Sequence, residues 1–208
     1  MEALLREMEA YAEENHVPII RDRGRLAYIE TVKQAQPRQV LEVGAAIGYS
    51  GLLAAMYGAP GLRLDAIEHN TGRVEAARRF WARTPYAGQL QVVPGDATEL
   101  LSKWRRPKGG YDFVFLDAAK GQYADYFRLV LPLLADAALV VADNVLFRGY
   151  IRGKGPIPHR FRTIAMRLRE YLTLTSTTPG CSTEIVKCGD GLAVTTVRKD
   201  EGFAAKQA

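Results

Sequence analysis

Between Gln39 and Ala142 the chain alternates between short apolar runs and stretches long enough to form helices. The runs cover Gln39 to Val43, Leu62 to Ile67, Leu90 to Val93, Phe113 to Leu116 and Ala138 to Ala142. Strands and helices in that order call for a parallel sheet with helices against both of its faces. The tail TEIVKCGDGLAVTTVRK departs from the pattern and reads as two strands joined around Gly189-Asp190-Gly191, a hairpin signal. The expected fold is α/β: a doubly wound sheet, mostly parallel, that ends in an antiparallel hairpin.

At 208 residues, 48% hydrophobic and 25% charged, the chain has the size and composition of one globular domain with a sizeable core. No repeat, low-complexity segment or linker-like stretch divides it. Two helical segments precede the first strand: Glu2 to Glu14, with Leu4, Leu5, Met8 and Tyr11 at helical spacing, and about Arg23 to Gln34. Residues 1–36 would thus form a helical cap on a core of residues 37–208. Acidic residues run through the opening MEALLREMEAYAEEN, where a signal peptide needs an apolar centre, and no apolar run reaches membrane length. A soluble, cytoplasmic protein with no membrane partner is expected. If Cys181 and Cys188 flank one extended strand, they stand roughly 23 Å apart at about 3.3 Å per residue. A disulfide spans at most about 7 Å between Cα atoms, so both read as free thiols.

In doubly wound sheets, ligands gather beyond the carboxyl ends of the strands, where the strand order reverses. The first run leads into VLEVGAAIGYSG, with Glu42, Gly44, Gly48, Tyr49 and Ser50. Glycine lets such a turn close tightly and approach a ligand. The spacing is Gly44-x3-Gly48-x2-Gly51 rather than GxGxxG, which disfavours a dinucleotide pyrophosphate. The second run ends in DAIEHN, placing Glu68 where a carboxylate can accept both hydroxyls of a ribose, while His69 reads as a surface residue. The third ends in GDA, with Asp96 and Ala97 placed to meet an adenine ring. A glycine turn alone serves packing as readily as binding, and one acid at a strand end serves as a helix cap. Together, and in this order, the three point to a nucleoside cofactor.

The stretch YDFVFLDAAKGQYADYF puts Asp117 at the close of the fourth run, and VVADN puts Asp143 and Asn144 at the close of the fifth. If those strands are neighbours, their ends lie about 4.8 Å apart. Two carboxylates and an amide oxygen then converge with no Cys or His among them. Hard oxygen ligands, few enough to leave room for water and substrate, suit Mg²⁺ or a similar cation. The plainer alternative is that Asp143-Asn144 caps a turn. Lys120 follows Asp117 by one helical turn and faces the same pocket, unless it is an ordinary surface lysine.

The net charge of +5 is unevenly spread. From Val145 to Arg169 there are seven basic residues and no acid, so the rest of the chain is net acidic. Such a run is either a solvated helix face or a seat for an anionic substrate. Gly149, Gly153 and Gly155 would let it move over the pocket, and Phe147 and Tyr150 either stack on a base or pack against the domain.

The set VLEVGAAIGYS, AIEHN, GDA, FLDAAKGQY and ADNVLFRGY resembles the cation-dependent O-methyltransferases that use S-adenosylmethionine, the group containing catechol and caffeoyl-CoA methyltransferases. The resemblance covers nearly the whole chain, including the terminal GDG hairpin. DAAKGQY followed by DNVLFRGY, with NHVPII near the amino terminus, is most similar to the bacterial tRNA 5-hydroxyuridine methyltransferases. It implies a Rossmann-like methyltransferase sheet, S-adenosylmethionine and Mg²⁺ or a similar divalent cation as cofactors, and a homodimer. It also implies that Asp117, Asp143 and Asn144 are metal ligands and that Lys120 is the catalytic base. Glu68 is similar to the ribose-binding acid, Ser50, Asp96 and Ala97 to cofactor-lining residues, and Ile20 of NHVPII to an apolar residue beside the methionine part. Glu42, Gly44, Tyr49 and Asp117 complete the cofactor set. Many relatives have threonine after the first motif glycine, where this chain has Ala45 and lacks that hydroxyl.

The implied reaction is methyl transfer by in-line displacement at the sulfonium carbon. The substrate hydroxyl, made more acidic by the cation, gives its proton to Lys120 if the cation lowers the lysine's own pKa. A 5-hydroxypyrimidine, with its adjacent O4 carbonyl, can chelate through two oxygens much as a catechol does, so the metal motif does not choose between them. The basic run leans towards RNA: phosphates of a tRNA anticodon loop would be drawn to Arg148, Arg152, Lys154 and Arg160 while an unpaired base enters the pocket. The expected function is conversion of 5-hydroxyuridine to 5-methoxyuridine at the tRNA wobble position. The alternative is a small-molecule enzyme acting on catechols or caffeoyl-CoA-like substrates, the latter also polyanionic. A non-catalytic nucleotide-binding module is disfavoured by the intact Asp117, Lys120, Asp143 and Asn144, and an NAD enzyme by the missing GxGxxG.

Overall fold

A computed structural model describes residues 1–153 and 155–199. Helices α1 (Glu2–Glu14) and α2 (Asp22–Ala35) precede β1 (Gln39–Val43), α3 (Tyr49–Tyr57), β2 (Arg63–Glu68), α4 (Thr71–Trp81), β3 (Leu90–Pro94) and α5 (Ala97–Ser102). The chain continues through β4 (Tyr111–Leu116), α6 (Tyr123–Val130), β5 (Leu134–Ala142), α7 (Arg162–Thr177), β6 (Cys181–Val186) and β7 (Leu192–Arg198). The seven strands form one sheet in the order β3-β2-β1-β4-β5-β7-β6. All pairings from β3 to β5 are parallel, whereas β7 runs antiparallel to both β5 and β6. This is the expected Rossmann-like sheet with its terminal hairpin. The strand order reverses between β1 and β4, and that switch point sets where a ligand can enter.

Side chains of a strand alternate between faces, and β4 shows how the core divides. Phe113 and Phe115 join a buried cluster with residues of α1 to α4. Val114 and Leu116 join the cluster formed with α5, α6 and α7 on the other face. Leu4, Met8 and Ala12 recur every four residues along α1, giving one buried stripe. In α2 the Tyr28 ring lies 4.5 Å from that of Phe115. Residues 1–36 therefore pack into the same core as β1 and β4.

Some boundaries differ from the sequence expectation. Strand β5 begins at Leu134 rather than Ala138, because Tyr111 pairs with Leu134 before the register shifts. Helix α7 extends to Thr177 through TLTST. The β-branched, hydroxyl-rich TLTST is a poor helix former, but the hydroxyls of Thr175, Ser176, Thr177 and Thr178 donate to carbonyls three or four residues back and occupy the last turns. Cys181 and Cys188 are free thiols. Among the described residues, no helix is long and apolar enough to cross a membrane.

Candidate active site

The carboxyl ends of β1 to β5 open onto a cavity of about 570 Å³. Gly44, Tyr49, Ser50, Glu68, Asp96, Ala97, Asp117, Lys120, Asp143 and Asn144 all lie on its wall, joined by Ile20 from the link between α1 and α2. Gly44, at φ 95°, makes this convergence possible: a Cβ there would collide with the Asp117 carbonyl oxygen. The turn after β1 thus lies directly against the end of β4.

On the β1–β2 side the chain itself fixes the acids. Glu68 accepts the Ala46 amide at 2.8 Å and the Asn70 amide at 2.9 Å, which aims its carboxylate along the turn. Asp96 is a helix cap and a cavity wall at once, since one oxygen accepts the Glu99 amide at 3.0 Å at the start of α5. Glu42 stands behind the wall instead of on it. It is fully buried and accepts the Ser50 hydroxyl, while its other carboxyl oxygen has no partner among the described residues. Burial pushes its pKa up to about 8; the Ser50 bond opposes this, and the charges of Asp117 and Glu68 add to it. Tyr49 donates its hydroxyl to Glu9 of α1 and accepts from Arg25 of α2 at 3.0 Å. Arg25 in turn reaches Glu9 at 2.5 Å, so the cap is tied to the start of α3 beside the cavity.

On the β4–β5 side the acids have little such support. Asp117 follows β4 and Asp143 follows β5, each with its amide bonded to the preceding neighbour strand, at 2.9 Å to Val43 and 3.0 Å to Leu116. Asp143 accepts the adjacent Asn144 amide at 2.7 Å. Asp117 meets Lys120, on a 3-10 turn, at 3.9 Å. Burial and then the charge of Asp143 push Asp117 up to about 7, with Lys120 opposing. Burial also raises Asp143, against the Asn144 amide and Lys120. Two desolvated carboxylates facing each other beside an amide oxygen fit a divalent cation, whose charge would relieve both. Among the described residues, no group of three His, Cys, Asp or Glu gathers that could hold a metal alone. A cation here would depend on the Asn144 amide and on oxygens from water or substrate.

The basic run lies elsewhere. Arg148, Arg152 and Arg160 are exposed and do not line the cavity, and Lys154 falls outside the described residues. Phe147 and Tyr150 pack against Phe161, at 5.4 and 6.1 Å between ring centres, instead of standing free to stack. Arg148 and Arg160 rest on the Phe161 ring at 5.2 and 4.7 Å. Ring packing draws the segment together, and none of these three arginines lies on the cavity wall.

The sequence reading did not assign Arg21, Arg73, Gln122, Tyr126, Cys188 or Asp190, all of which line the cavity. Strand pairing brings the last two there. With β7 antiparallel to β5 and Ala193 opposite Ala142, the turn before Leu192 must meet the segment after Ala142.

The fold and this wall define a doubly wound protein that holds a nucleoside cofactor beside a paired-acid site. A family model for O-methyltransferases matches residues 1–199. The catechol O-methyltransferase of Mycobacterium tuberculosis is 30% identical over 168 residues, 78% of this chain and 73% of that one. The caffeoyl-CoA O-methyltransferase of Populus kitakamiensis is 25% identical over 184 residues, 86% of this chain and 76% of that one. Among solved structures, a proposed caffeoyl-CoA O-methyltransferase from Staphylococcus aureus has a TM-score of 0.81 at 27% identity, over 93% of this chain and 91% of that chain. TomG of Streptomyces achromogenes, solved with its S-adenosylmethionine, shares the fold with a TM-score of 0.81 at 24% identity, over 94% and 89% of the two chains. The chain belongs to the O-methyltransferase family, in its catechol and caffeoyl-CoA group, and is an S-adenosylmethionine-dependent O-methyltransferase.

Proposed function

We propose that this chain methylates a hydroxyl that stands beside a second oxygen, at a divalent cation held by Asp117, Asp143 and Asn144, and that the substrate is 5-hydroxyuridine at the wobble position of tRNA. The observation that carries the RNA assignment is the segment leaving directly from Asn144. Arg148, Arg152 and Arg160 on it are exposed, and among the described residues none pairs with a carboxylate. Unpaired arginines on a segment that leaves the cavity wall at Asn144 attract a phosphate backbone.

In this reading the cofactor supplies a methyl group on a sulfonium, and the cation makes the substrate hydroxyl more acidic. The chain does the rest. Glu68, already aimed by two backbone amides, receives the ribose hydroxyls, and Ala97 and Ile20 give the apolar faces. Asp117, Asp143 and Asn144 hold the cation. Lys120, 3.9 Å from Asp117 and on the wall, first loses its own ammonium proton to solvent and then, as the neutral amine, takes the hydroxyl proton on Nζ.

A small-molecule substrate is the second reading, favoured by a specific observation: none of Arg148, Arg152 and Arg160 lines the cavity, and the matched relatives are catechol and caffeoyl-CoA enzymes. Nucleoside mass spectrometry separates the two. tRNA bearing 5-hydroxyuridine, incubated with the protein, S-adenosylmethionine and Mg²⁺, is expected to yield 5-methoxyuridine, with none formed in EDTA or by Asp143→Ala. Unmodified tRNA alongside rapid methylation of a catechol or caffeoyl-CoA would overturn the RNA assignment.

A further inference from the structure

Asn144 opens a stretch of backbone that leans in part on a neighbouring turn. Asn144, Phe147 and Arg148 sit at φ of 56°, 42° and 56°, and Gly149 follows at 79°. Residues with side chains avoid this region, asparagine least, so phenylalanine and arginine stay there only where neighbours fix the backbone. Within the segment the amides of Phe147, Tyr150 and Ile151 donate to the carbonyls of Asn144, Phe147 and Leu146 at 3.2, 3.0 and 3.3 Å, while the Arg148 amide finds its partner outside it.

Firmer support comes from the turn between β6 and β7. The Leu146 amide donates to the Asp190 carbonyl at 2.7 Å, and the Val145 amide to the Gly191 carbonyl at 3.1 Å. The Arg148 amide donates to Asp190 Oδ1 at 3.1 Å. Gly191, at φ 83°, lies so close to Leu146 that a Cβ would collide with that side chain. Two of the three amides are held by backbone carbonyls, which any residue would supply. Only the bond to Arg148 depends on which side chain stands at position 190.

We propose that Asp190 is a positioning residue for the cation site: by holding the Arg148 amide it fixes the left-handed turn that presents Asp143 and Asn144 to the cavity. This rests on the reading of those two residues as cation ligands. Asp190 itself lies on the cavity wall, so its charge also faces Asp143. The test must separate geometry from charge.

Mn²⁺ is the probe, its free concentration read by electron paramagnetic resonance during titration of the full chain. Asp190→Ala is expected to weaken Mn²⁺ binding by about tenfold or more, as loss of a ligand-orienting contact does. Asp190→Asn, whose amide oxygen can accept the same N–H, recovers most of the affinity. Calorimetric titration with S-adenosylmethionine gives wild-type values for both variants and shows that they are folded. Asp190→Ala binding Mn²⁺ like the wild type overturns the proposal, and so does Asp190→Asn binding as weakly as Asp190→Ala, which would assign the effect to charge. Wild-type protein that binds no Mn²⁺ removes the cation reading as well, so the two failures are told apart. Should Asp190→Ala not fold, hydrogen exchange on the wild type decides: a protected Arg148 amide supports the clamp, and exchange at the rate of an open chain overturns it.

Discussion

On the β1–β2 side of the cavity Glu68 receives two backbone amides, while across the sheet Asp117 has only a lysine at 3.9 Å and a neighbouring carboxylate that repels it. Both acids close a parallel strand, so the topology does not account for the difference. The turn after β1 brings the Ala46 amide to Glu68 and the turn after β2 brings that of Asn70, whereas the segments after β4 and β5 give Asp117 no such amide among the described residues. The first half is finished by the chain itself. The second half leaves two desolvated carboxylates that Lys120 relieves only in part, and a bound cation would relieve them further.

The sharpest way to break that contrast is Asp143→Ala. If Asp143 holds a cation as proposed, methyl transfer should fall at least about a thousandfold, since several kcal/mol of stabilisation at the reacting oxygen would pass through that cation. The cofactor dissociation constant, followed by calorimetry, should barely move. If both collapse together, the halves are not separable.

The next largest effect concerns Glu42, the fully buried acid of the cofactor half. Glu42 titrates at about 8 when folded and near its ordinary 4.5 when unfolded. Between those values the folded chain keeps a proton that the unfolded chain has released. Stability therefore falls as pH rises from about 4.5 to about 8 and levels off above, by a few kcal/mol over the window. Urea unfolding at several pH values should show a shallower decline in Glu42→Gln than in the wild type. Parallel curves would mean that Glu42 is ionised in the folded chain.

Glu68→Ala should act on the cofactor half alone. Loss of hydrogen bonds to a charged group is worth about 1.5–3 kcal/mol, so cofactor affinity should fall about tenfold to a hundredfold. Mn²⁺ binding should stay at its wild-type value, and a matching loss of Mn²⁺ affinity would show that Glu68 supports both halves.

The same contrast explains what the sequence could disclose. Helix α1 and strand β1 lie where apolar spacing puts them, Glu2–Glu14 and Gln39–Val43, because each carries its own burial pattern. Asp117, Lys120, Asp143 and Asn144 share a cavity because parallel strands bring their carboxyl ends to one side, a consequence of topology that needs no knowledge of contacts. What stayed hidden depends on pairing at long range. Nothing local to Gly189-Asp190-Gly191 says that its strand will lie between β5 and β6. Nothing in the arginine run says that Arg148 and Arg160 will settle on Phe161. Glu9, Arg25 and Tyr49 look like two surface charges and a core aromatic until the fold closes.

That trio gives the smallest effect and the finest test of the contrast. Tyr49→Phe keeps the ring on the cavity wall and removes the hydroxyl shared by Glu9 and Arg25. The remaining Arg25–Glu9 pair is about a third exposed on each side, so it contributes at most about 1 kcal/mol to holding the cap. Losing the hydroxyl should cost about 1 to 2 kcal/mol of stability. Because Ile20 reaches the cavity from the link between α1 and α2, a loosened cap should also weaken cofactor binding, by a few-fold, while Mn²⁺ binding is untouched. Thermal unfolding with and without S-adenosylmethionine reads both quantities. Lower stability with an unchanged cofactor-induced shift would make the cap a structural cover only, and the completed half of the cavity would then begin at Gly44 and not at Ile20.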